Sequence, residues 1–274
     1  MLPNPILEFT FLGKEVQVYM YGVCIAVGLL ACFAVLFLYA KKRNMPYEIL
    51  EFIFFTGIFA IAFGFLFAKL YQAVYNWIED GYFDFMNAGI TVMGGLIGGA
   101  ATFLAIYFGI GHFVFNKGKK KNLHLKHFNT IFCLAPICIT IAHAFGRIGC
   151  LMAGCCYGKE VDHGFRIYNH GAYRIPAQLY EAVFLFALFA VLSILYFKRY
   201  NFMMHLYLVA YAIWRFIIEI FRDDPRGATV LGLEPSQWQS IVFIVLGLAL
   251  TAFYYFRKIP WRLPESQFLK DTDQ

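Results

Sequence analysis

The sequence predicts an all-α polytopic membrane protein with about seven transmembrane helices. Hydrophobic residues make up 61% of its 274 residues and charged residues only 15%. Soluble domains are about half apolar and about a quarter charged, so both values point to lipid. The aromatic fraction of 20% suits lipid-facing surfaces and the aromatic belts at membrane interfaces. We therefore expect a single integral membrane domain over residues 1–274.

Seven apolar runs are long enough to cross a bilayer, whose hydrocarbon core of about 30 Å requires roughly 20 helical residues. No water is present there to satisfy a free backbone, so each run is predicted to be a helix. Residues 1–17 lack the basic start and cleavage site of a signal peptide, so the first span is expected to remain. The predicted spans are residues 16–40, 49–74, 90–110, 128–148, 176–197, 203–221 and 238–256.

The charge of the connecting segments predicts their orientation. Three basic residues follow the first span, five follow the third, two follow the fifth and four lie in the tail. The opposite side holds six, and the predicted loop at residues 75–89 is acidic without a base. Because basic loops stay in the cytoplasm, we predict the N-terminus outside and the C-terminus in the cytoplasm. The net charge of +6 is thus interpreted as an orientation signal, with no nucleic acid as partner.

Arg147 is the first candidate for a functional residue. An arginine in an apolar helix costs several kcal/mol, in order of magnitude, unless it meets anions, carbonyls or water. Helical spacing places His143, Arg147 and Cys150 on one stripe, and nearby glycines would let a lipid headgroup approach. The alternative is an arginine at a helix end that extends to the outer interface.

A second stripe on the sixth span contains Arg215, Glu219 and Arg222. Glu219 can neutralise one arginine, which would leave a net positive site near the outer leaflet. Two arginines from separate spans, Arg147 and Arg215, make a plausible clamp for one phosphate, since a guanidinium binds phosphate bidentately. The alternative is an Arg–Glu–Arg network that only locks the packing of helices.

Two further segments carry candidate residues. Gly94 and Gly95 begin overlapping small-xxx-small patterns, whose usual meaning is close helix packing. At the start of the fifth span, Gln178, Tyr180 and Glu181 are expected to place polar groups at the outer interface. Tyr180 alone would be an ordinary member of an aromatic belt.

Cys150, Cys155 and Cys156 suggest a metal site with His143 as a fourth ligand. Their spacing does not match a paired C-x-x-C knuckle, so we predict that no metal is bound. A disulfide between two of them stays open if they face an oxidising compartment, although the adjacent Cys155 and Cys156 have unsuitable geometry for pairing.

Taken together, these motifs resemble the bacterial prolipoprotein diacylglyceryl transferase family. The matching segments occur in order along almost the whole chain: YMYG at residues 19–22, GGLIG at 94–98, GRIG at 146–149 with Gly154 and Gly158, RIPAQLYE at 174–181, RFIIEIFR at 215–222 and SQWQSI at 236–241.

The resemblance implies a seven-helix transferase of the bacterial cytoplasmic (inner) membrane that needs no cofactor. It would move the diacylglyceryl group of phosphatidylglycerol onto the lipobox cysteine of a preprolipoprotein signal peptide and release glycerol 1-phosphate. Arg147 is implied to bind the phospholipid and Arg215 to be essential. Further substrate-binding positions in the matched motifs are Tyr21, Gly94, Gly95, Gln178, Tyr180, Glu219 and Arg222.

The chain departs from the family pattern where a proton acceptor is needed. Met93 stands where the family usually has histidine, and Cys150 and Cys155 stand where it has asparagine and glutamate. A thiol with a pKa near about 8.5 is mostly neutral, so its attack requires a base. His143, one turn before Arg147, is predicted to be that relocated base. The alternative is a histidine bonded to a carbonyl.

Two other functions stay open at this stage. A non-catalytic paralogue could bind anionic phospholipid with the same arginines. A small membrane transporter would require inverted repeats and discontinuous helices, and the sequence shows neither pattern.

Overall fold

The computed structural model describes residues 4–11, 13–116, 120–224 and 231–263. Four basic residues that contributed to the predicted orientation lie outside this part of the chain: Lys117, Lys119, Arg226 and Lys270. The chain divides into two compact units. Unit 1 combines Met1–Tyr39 with Ile131–Lys270, and unit 2 combines Ala40–Thr130 with Asp271–Gln274. A single domain over residues 1–274 stays a prediction.

Helices account for most of the described elements. In chain order these are β1 Leu7–Phe11, β2 Lys14–Val18, α1 Met20–Lys42, α2 Tyr47–Asp80, α3 Val92–Leu104, a π-helical turn Ala105–Ile110, α4 Gly111–Val114, α5 Leu123–Ala153, β3 Ile167–Asn169, β4 Ala172–Arg174, α6 Ala177–Phe197, α7 Met203–Glu219 and α8 Pro235–Phe256.

Six of the described helices are long and apolar enough to cross a membrane, namely Met20–Lys42, Tyr47–Ile78, Val92–Val114, Leu123–Ala153, Ala177–Phe197 and Pro235–Phe256. The prediction of an all-α polytopic membrane protein is therefore confirmed. The predicted sixth span corresponds to α7, whose 17 residues lie at the lower limit of about 17 for a transmembrane helix. The orientation of the termini stays a prediction.

Backbone bridges at its two ends define the path of α7 within unit 1. After its C-terminal end, Arg222 pairs with Gly158 in the connection between α5 and α6. Before its N-terminal end, Tyr200 pairs with Arg262, which follows α8. Helix α7 also packs against both α6 and α8. Helix α7 therefore runs from the C-terminal ends of α6 and α8 to the start of α6, as a membrane-spanning helix would.

Two short hairpins were missed by the sequence prediction. Strands β1 and β2 pair antiparallel with Leu7 opposite Val18, so the predicted start of the first span at residue 16 was wrong and α1 begins at Met20. Apolar and polar residues alternate through β1 and from Glu15 onward in β2, which is the period of a strand. Strands β3 and β4 form the second hairpin, in the connection between α5 and α6.

Several predicted helix ends required extension. Helix α2 continues to Asp80, through part of the predicted loop, and ends at Gly81 in a left-handed conformation with φ of 77°. Helix α5 continues to Ala153. Arg147 consequently lies within the helix and not at its end, which disagrees with the alternative interpretation of a helix-end arginine. Helix α8 begins at Pro235, because Glu234 and Gln237 form a capping box.

Within unit 2, the glycines of α3 pack closely against α2. A Cβ added to Gly94 would lie 2.6 Å from Tyr71 Cβ, and one added to Gly98 would overlap the Phe67 side chain. Gly95 also contacts α2, because its carbonyl oxygen would lie 3.1 Å from a Cβ at Gly64. The predicted close packing of this small-residue segment is confirmed. Substrate binding by Gly94 and Gly95 stays a prediction.

Candidate active site

Glu181 on α6 is the centre of an ionic network within unit 1. Its Oε1 lies 3.1 Å from Nη2 of Arg147 on α5, and its Oε2 lies 3.5 Å from Nη1 of Arg215 on α7. The hydroxyl of Tyr211 donates to the same Oε1 at 3.2 Å. Because Glu181 is only 1% exposed, its charge depends on these partners rather than on water. Three helices are therefore joined through one carboxylate.

Arg215 has a second acidic partner on its own helix. Its Nη2 lies 2.9 Å from Oε2 of Glu219, four residues further along α7. Arg215 is 8% exposed and Glu219 5% exposed, so both charges are buried. The predicted pairing of Glu219 with an arginine is confirmed.

The charge balance of this network differs from the prediction. Sequence reasoning placed Glu181 at the outer interface and left one arginine charge in excess. In the structure, Arg147 and Arg215 are balanced by Glu181 and Glu219, so these four side chains are formally neutral together. Gln178 was also expected at the interface and is 1% exposed. Both α6 residues are buried because they contact α5, α7 and the connection between α5 and α6.

His143 lies directly beside Arg147. Its Nε2 accepts a hydrogen bond from Nε of Arg147 at 3.3 Å and lies 3.8 Å from Oε1 of Glu181. Its ring also packs edge-on against Tyr211, with ring centroids 5.2 Å apart. An acceptor nitrogen carries no proton, so this bond describes a neutral imidazole whose Nε2 lone pair points at Arg147. The predicted neighbourhood of His143 and Arg147 is thus present, whereas the role of base stays a prediction.

Arg222 does not continue the stripe of Arg215 and Glu219. Helix α7 ends at Glu219, and the bidentate partner of Arg222 is Asp224, at 3.0 Å from Nε and 2.9 Å from Nη2. The chain leaves the helix here because Lys159 N–H donates to the Phe221 carbonyl oxygen at 2.9 Å, which extends the bridge to the connection between α5 and α6. The predicted i, i+4, i+7 stripe is correct for its first two members only.

The connection between α5 and α6 is held at the site by close backbone contacts. Gly158 N–H donates to the Ile175 carbonyl oxygen at 2.9 Å, and a Cβ at Gly158 would lie 2.7 Å from that oxygen. Only glycine fits this position without moving its neighbours. Arg174, at the end of β4, pairs with Asp223 at 2.8 Å and so joins the hairpin to the segment after α7.

Three thiols gather where α5 ends. The sulfur atoms of Cys150, Cys155 and Cys156 lie within 4.8 Å of one another, and all three cysteines are free. Hydrogen bonds from Cys150 and from Cys155 lower the pKa of the Cys156 thiol below its usual value, and the Arg222 and Arg147 charges act in the same direction. The side-chain amide of Gln178 donates to the Cys155 carbonyl oxygen. The predicted substrate-binding residue Gln178 thus lies between the thiols and Glu181.

The remaining predicted residues lie at different places. Tyr21 on α1 packs against Gly149, since a Cβ there would lie 3.1 Å from Tyr21 Cδ2. Tyr180 is 36% exposed on α6, as an aromatic belt residue would be. Gly94 and Gly95 belong to unit 2.

Sequence reasoning missed the central role of Glu181 and the contribution of Tyr211. Glu181 is separated from Arg147 by 34 residues and from Arg215 by another 34, so no helical period connects them. One signal was available: an acid near the start of a largely apolar span needs a cationic partner, just as Arg147 needs an anionic one. Tyr211 is one helical turn before Arg215, on the same face.

The fold and the site define a class: a multi-pass helical membrane protein in which two arginines from different helices meet at one buried carboxylate. A model of the prolipoprotein diacylglyceryl transferase family matches residues 8–253 of the chain. The chain therefore belongs to the prolipoprotein diacylglyceryl transferase family, which confirms the resemblance found from its motifs.

Curated relatives are similar over nearly the whole chain. The phosphatidylglycerol–prolipoprotein diacylglyceryl transferase of Clostridium tetani is 31% identical over 270 residues, covering 93% of this chain and 99% of that protein. Phosphatidylglycerol–prolipoprotein diacylglyceryl transferase 2 of Clostridium perfringens is 31% identical over 254 residues, covering 85% of this chain and 90% of that protein. A Streptococcus pneumoniae transferase of this name is 31% identical over 267 residues, covering 90% of this chain and 94% of that protein.

Proposed function

We propose that this chain transfers the diacylglyceryl group of phosphatidylglycerol to the lipobox cysteine thiol of preprolipoprotein signal peptides. Family membership and the names of the relatives support the reaction class and both substrates. The observation that carries the assignment of the site is the meeting of Arg147 and Arg215 at Glu181.

The chemistry requires an anion to be held while a carbon–oxygen bond breaks. The thiolate sulfur attacks the glyceryl carbon that bears the phosphate, and the bond from that carbon to the phosphate oxygen breaks. Its electron pair stays on the oxygen, which gives a thioether and glycerol 1-phosphate. Charge on the leaving phosphate rises in the transition state, so cations fixed beside it accelerate the reaction.

Arg147 and Arg215 are the proposed phosphate ligands. Each guanidinium carries five N–H donors in a planar fork, so it can bind a carboxylate on one edge and a phosphate on another. Glu181 would keep both guanidiniums in place before lipid arrives, which reduces the cost of organising them during the reaction. Tyr21, Gln178, Glu219 and Arg222 are proposed to surround the bound substrates.

His143 is the proposed acceptor of the thiol proton. Its Nε2 accepts from Arg147 in the structure, so it becomes available when Arg147 turns toward a phosphate. Met93 in place of the usual histidine makes such a substitute acceptor necessary.

We propose that the protein lies in the cytoplasmic (inner) membrane, with its N-terminus outside and its C-terminus in the cytoplasm. The excess of basic residues on one set of connections supports this orientation. The ends of α5 and α7 and the start of α6 would then face outward, where secreted clients arrive.

A purified full-length chain in phosphatidylglycerol vesicles tests the function. A lipobox peptide is added, and its mass gain and the release of glycerol 1-phosphate are measured. We expect both with the cysteine peptide and neither with a cysteine-to-serine peptide or with phosphatidylcholine vesicles. Growth rescue of a strain depleted of its own transferase, lost in Arg147→Ala, is the expected result in cells. Retention of lipid without released glycerol 1-phosphate would instead identify a non-catalytic phospholipid-binding paralogue.

A further inference from the structure

The three thiols after α5 have the geometry of a metal site. Their sulfur atoms lie within 4.8 Å of one another. Thiolates bound to one zinc ion at about 2.3 Å are about 3.8 Å apart in a tetrahedral arrangement. Small rotations of the side chains would therefore bring Cys150, Cys155 and Cys156 to ligand distance. Sequence spacing did not indicate a metal, because one ligand comes from the last turn of a helix and the others from adjacent loop positions.

The loop that carries two of the thiols is held in a defined conformation. Gly154 and Cys156 both have positive φ, at 75° and 60°. A cysteine is rarely found in this conformation, and such residues concentrate at functional sites. The Asn169 side-chain amide donates to the Gly154 carbonyl oxygen at 2.8 Å, and Gln178 donates to the Cys155 carbonyl oxygen. Side chains from β3 and α6 thus hold the backbone of the loop that carries Cys155 and Cys156.

Gln178 also leaves a buried acceptor at this loop. Its side-chain nitrogen is engaged with the Cys155 carbonyl, which fixes which end of the amide is oxygen. That oxygen is buried and has no hydrogen-bond partner among the described residues, and the whole side chain is 1% exposed. Buried polar atoms are nearly always satisfied, so this atom points to a bound group with an N–H or O–H donor.

We propose that Cys150, Cys155 and Cys156 bind a zinc ion whose fourth position takes the lipobox cysteine of the client as a thiolate. This inference rests on the proposed function and supplies the nucleophile that it requires. Catalytic zinc sites commonly have three protein ligands and one open position, and a thiol that binds zinc loses its proton. The side-chain oxygen of Gln178 would accept a hydrogen bond from the client backbone or from water at the open position.

The proposed transfer step is balanced by zinc, by His143 as proton acceptor and by the two arginines that hold the phosphate. The client thiol displaces water from zinc, and its proton passes to His143. The zinc-bound sulfur then forms a bond to the glyceryl carbon, while the carbon–oxygen bond breaks and its electrons go to the phosphate held by Arg147 and Arg215. The thioether product is a weaker ligand than a thiolate, so it leaves the zinc and water returns. No oxidant or reductant is involved.

The position of the thiols suits this role. Cys150 lies three residues after Arg147 on α5, so a metal at Cys150 is about one helical turn from the proposed phosphate ligand. Gln178 and Glu181 are likewise three residues apart on α6, one contacting the Cys155 loop and the other Arg147. Nucleophile and leaving group would therefore be held by adjacent turns of the same two helices.

Metal content of the full-length chain, purified in detergent after growth with zinc, is the first test. We expect about one zinc per chain, as the tetrahedral site predicts. Cys150→Ser, Cys155→Ser and Cys156→Ser should each lose it, and Cys32→Ala, which changes a cysteine of α1, should keep it. Cys155→His should retain zinc because histidine is also a ligand, which shows that loss in the serine variant does not reflect misfolding. Zinc bound equally by all variants, or a disulfide between two of these cysteines without metal, would overturn the proposal.

Cobalt in place of zinc tests the open position. A cobalt-loaded chain should show sulfur-to-metal charge-transfer absorption that increases when a lipobox peptide is added, and that is unchanged by the cysteine-to-serine peptide. Absence of a peptide effect would overturn binding of the client thiol.

Activity separates this inference from the proposed function. The chain stripped with a chelator should lose transfer, and added zinc should restore it. Full transfer by the metal-free chain would refute the zinc site and leave the transferase function intact. Zinc binding and a cobalt response without any transfer would support the zinc site and refute the transferase function, because the chain would then bind the client without modifying it.

Discussion

Nη2 of Arg147 lies 3.1 Å from Oε1 of Glu181, and this ion pair joins the C-terminal part of α5 to the N-terminal part of α6. The same carboxylate faces Arg215 at 3.5 Å. Glu181 therefore decides whether two buried guanidiniums are compensated, and its substitution is the most direct test of the network.

Glu181→Gln should destabilise the protein by about 3–5 kcal/mol, because it leaves a buried positive charge without its partner. The change keeps the shape of the side chain, so lost packing does not contribute. Thermal unfolding in detergent measures the effect. The matched control is Glu160→Gln, whose carboxylate is 64% exposed and 3.9 Å from Arg174. This surface pair is expected to contribute only about 0–1 kcal/mol. Equal stability of the two variants would contradict a central role for Glu181.

Arg147→Lys should reduce diacylglyceryl transfer by about 10²-fold, since one donor group cannot replace a fork that contacts several partners. In the structure the fork contacts both His143 and Glu181. Initial rates of glycerol 1-phosphate release measure the loss. Arg166→Lys in the connection between α5 and α6 is the control and should stay within about twofold of the unchanged chain. A fully active Arg147→Lys protein would exclude Arg147 as a bidentate phosphate ligand.

His143→Ala should lower the rate of transfer by about 10²-fold, the usual contribution of a general base. Substrate binding, measured as retention of phosphatidylglycerol, should change little. A His143→Ala protein of full activity would show that the proton is accepted elsewhere.

Gly94→Ala should destabilise unit 2 by about 1–3 kcal/mol, the usual cost of overpacking. The added Cβ would lie 2.6 Å from Tyr71 Cβ and 2.8 Å from the Phe67 carbonyl oxygen, so helices α2 and α3 must separate. Gly109→Ala is the control, because its added Cβ would have no neighbour within 4 Å. Thermal unfolding compares them. Comparable melting temperatures for the two variants would mean that α3 can move without cost.

Asp84, in the loop after α2, should give a pH-dependent contribution to stability. Hydrogen bonds from the backbone N–H and then the side chain of Asn87, and from Tyr82, lower the pKa of Asp84 to about 2. A carboxylate with a depressed folded-state pKa contributes above its unfolded pKa of about 3.9, and the contribution is lost as pH falls toward about 2. Asn87→Ala removes one side-chain donor and so makes the pKa of Asp84 less depressed, and the loss should therefore be smaller and be complete at a higher pH. Superimposable curves of melting temperature against pH for the two proteins would contradict this.

The sequence by itself determined the class of protein and most of the important positions. An apolar run of about 20 residues has to be a helix in lipid, so composition and length alone predict the spans. Arg147, Arg215 and Glu219 were found because a charged residue in such a run is costly to bury and therefore marks a candidate site. The pairing of Arg215 with Glu219 follows from one helical turn, a distance that depends only on local geometry.

Only the tertiary structure decided which side chains meet across helices. Glu181 was predicted at an interface and is the shared partner of Arg147 and Arg215, because the rotation and depth of α6 depend on packing against α5 and α7. Arg222 left its predicted stripe because a backbone bridge to Gly158 ends the helix first. The three cysteines converge because Gly154 and Cys156 turn the chain back with positive φ, and their spacing does not encode that turn. Helical periodicity fixes neighbours within a span, whereas contacts between spans depend on how whole helices fit together.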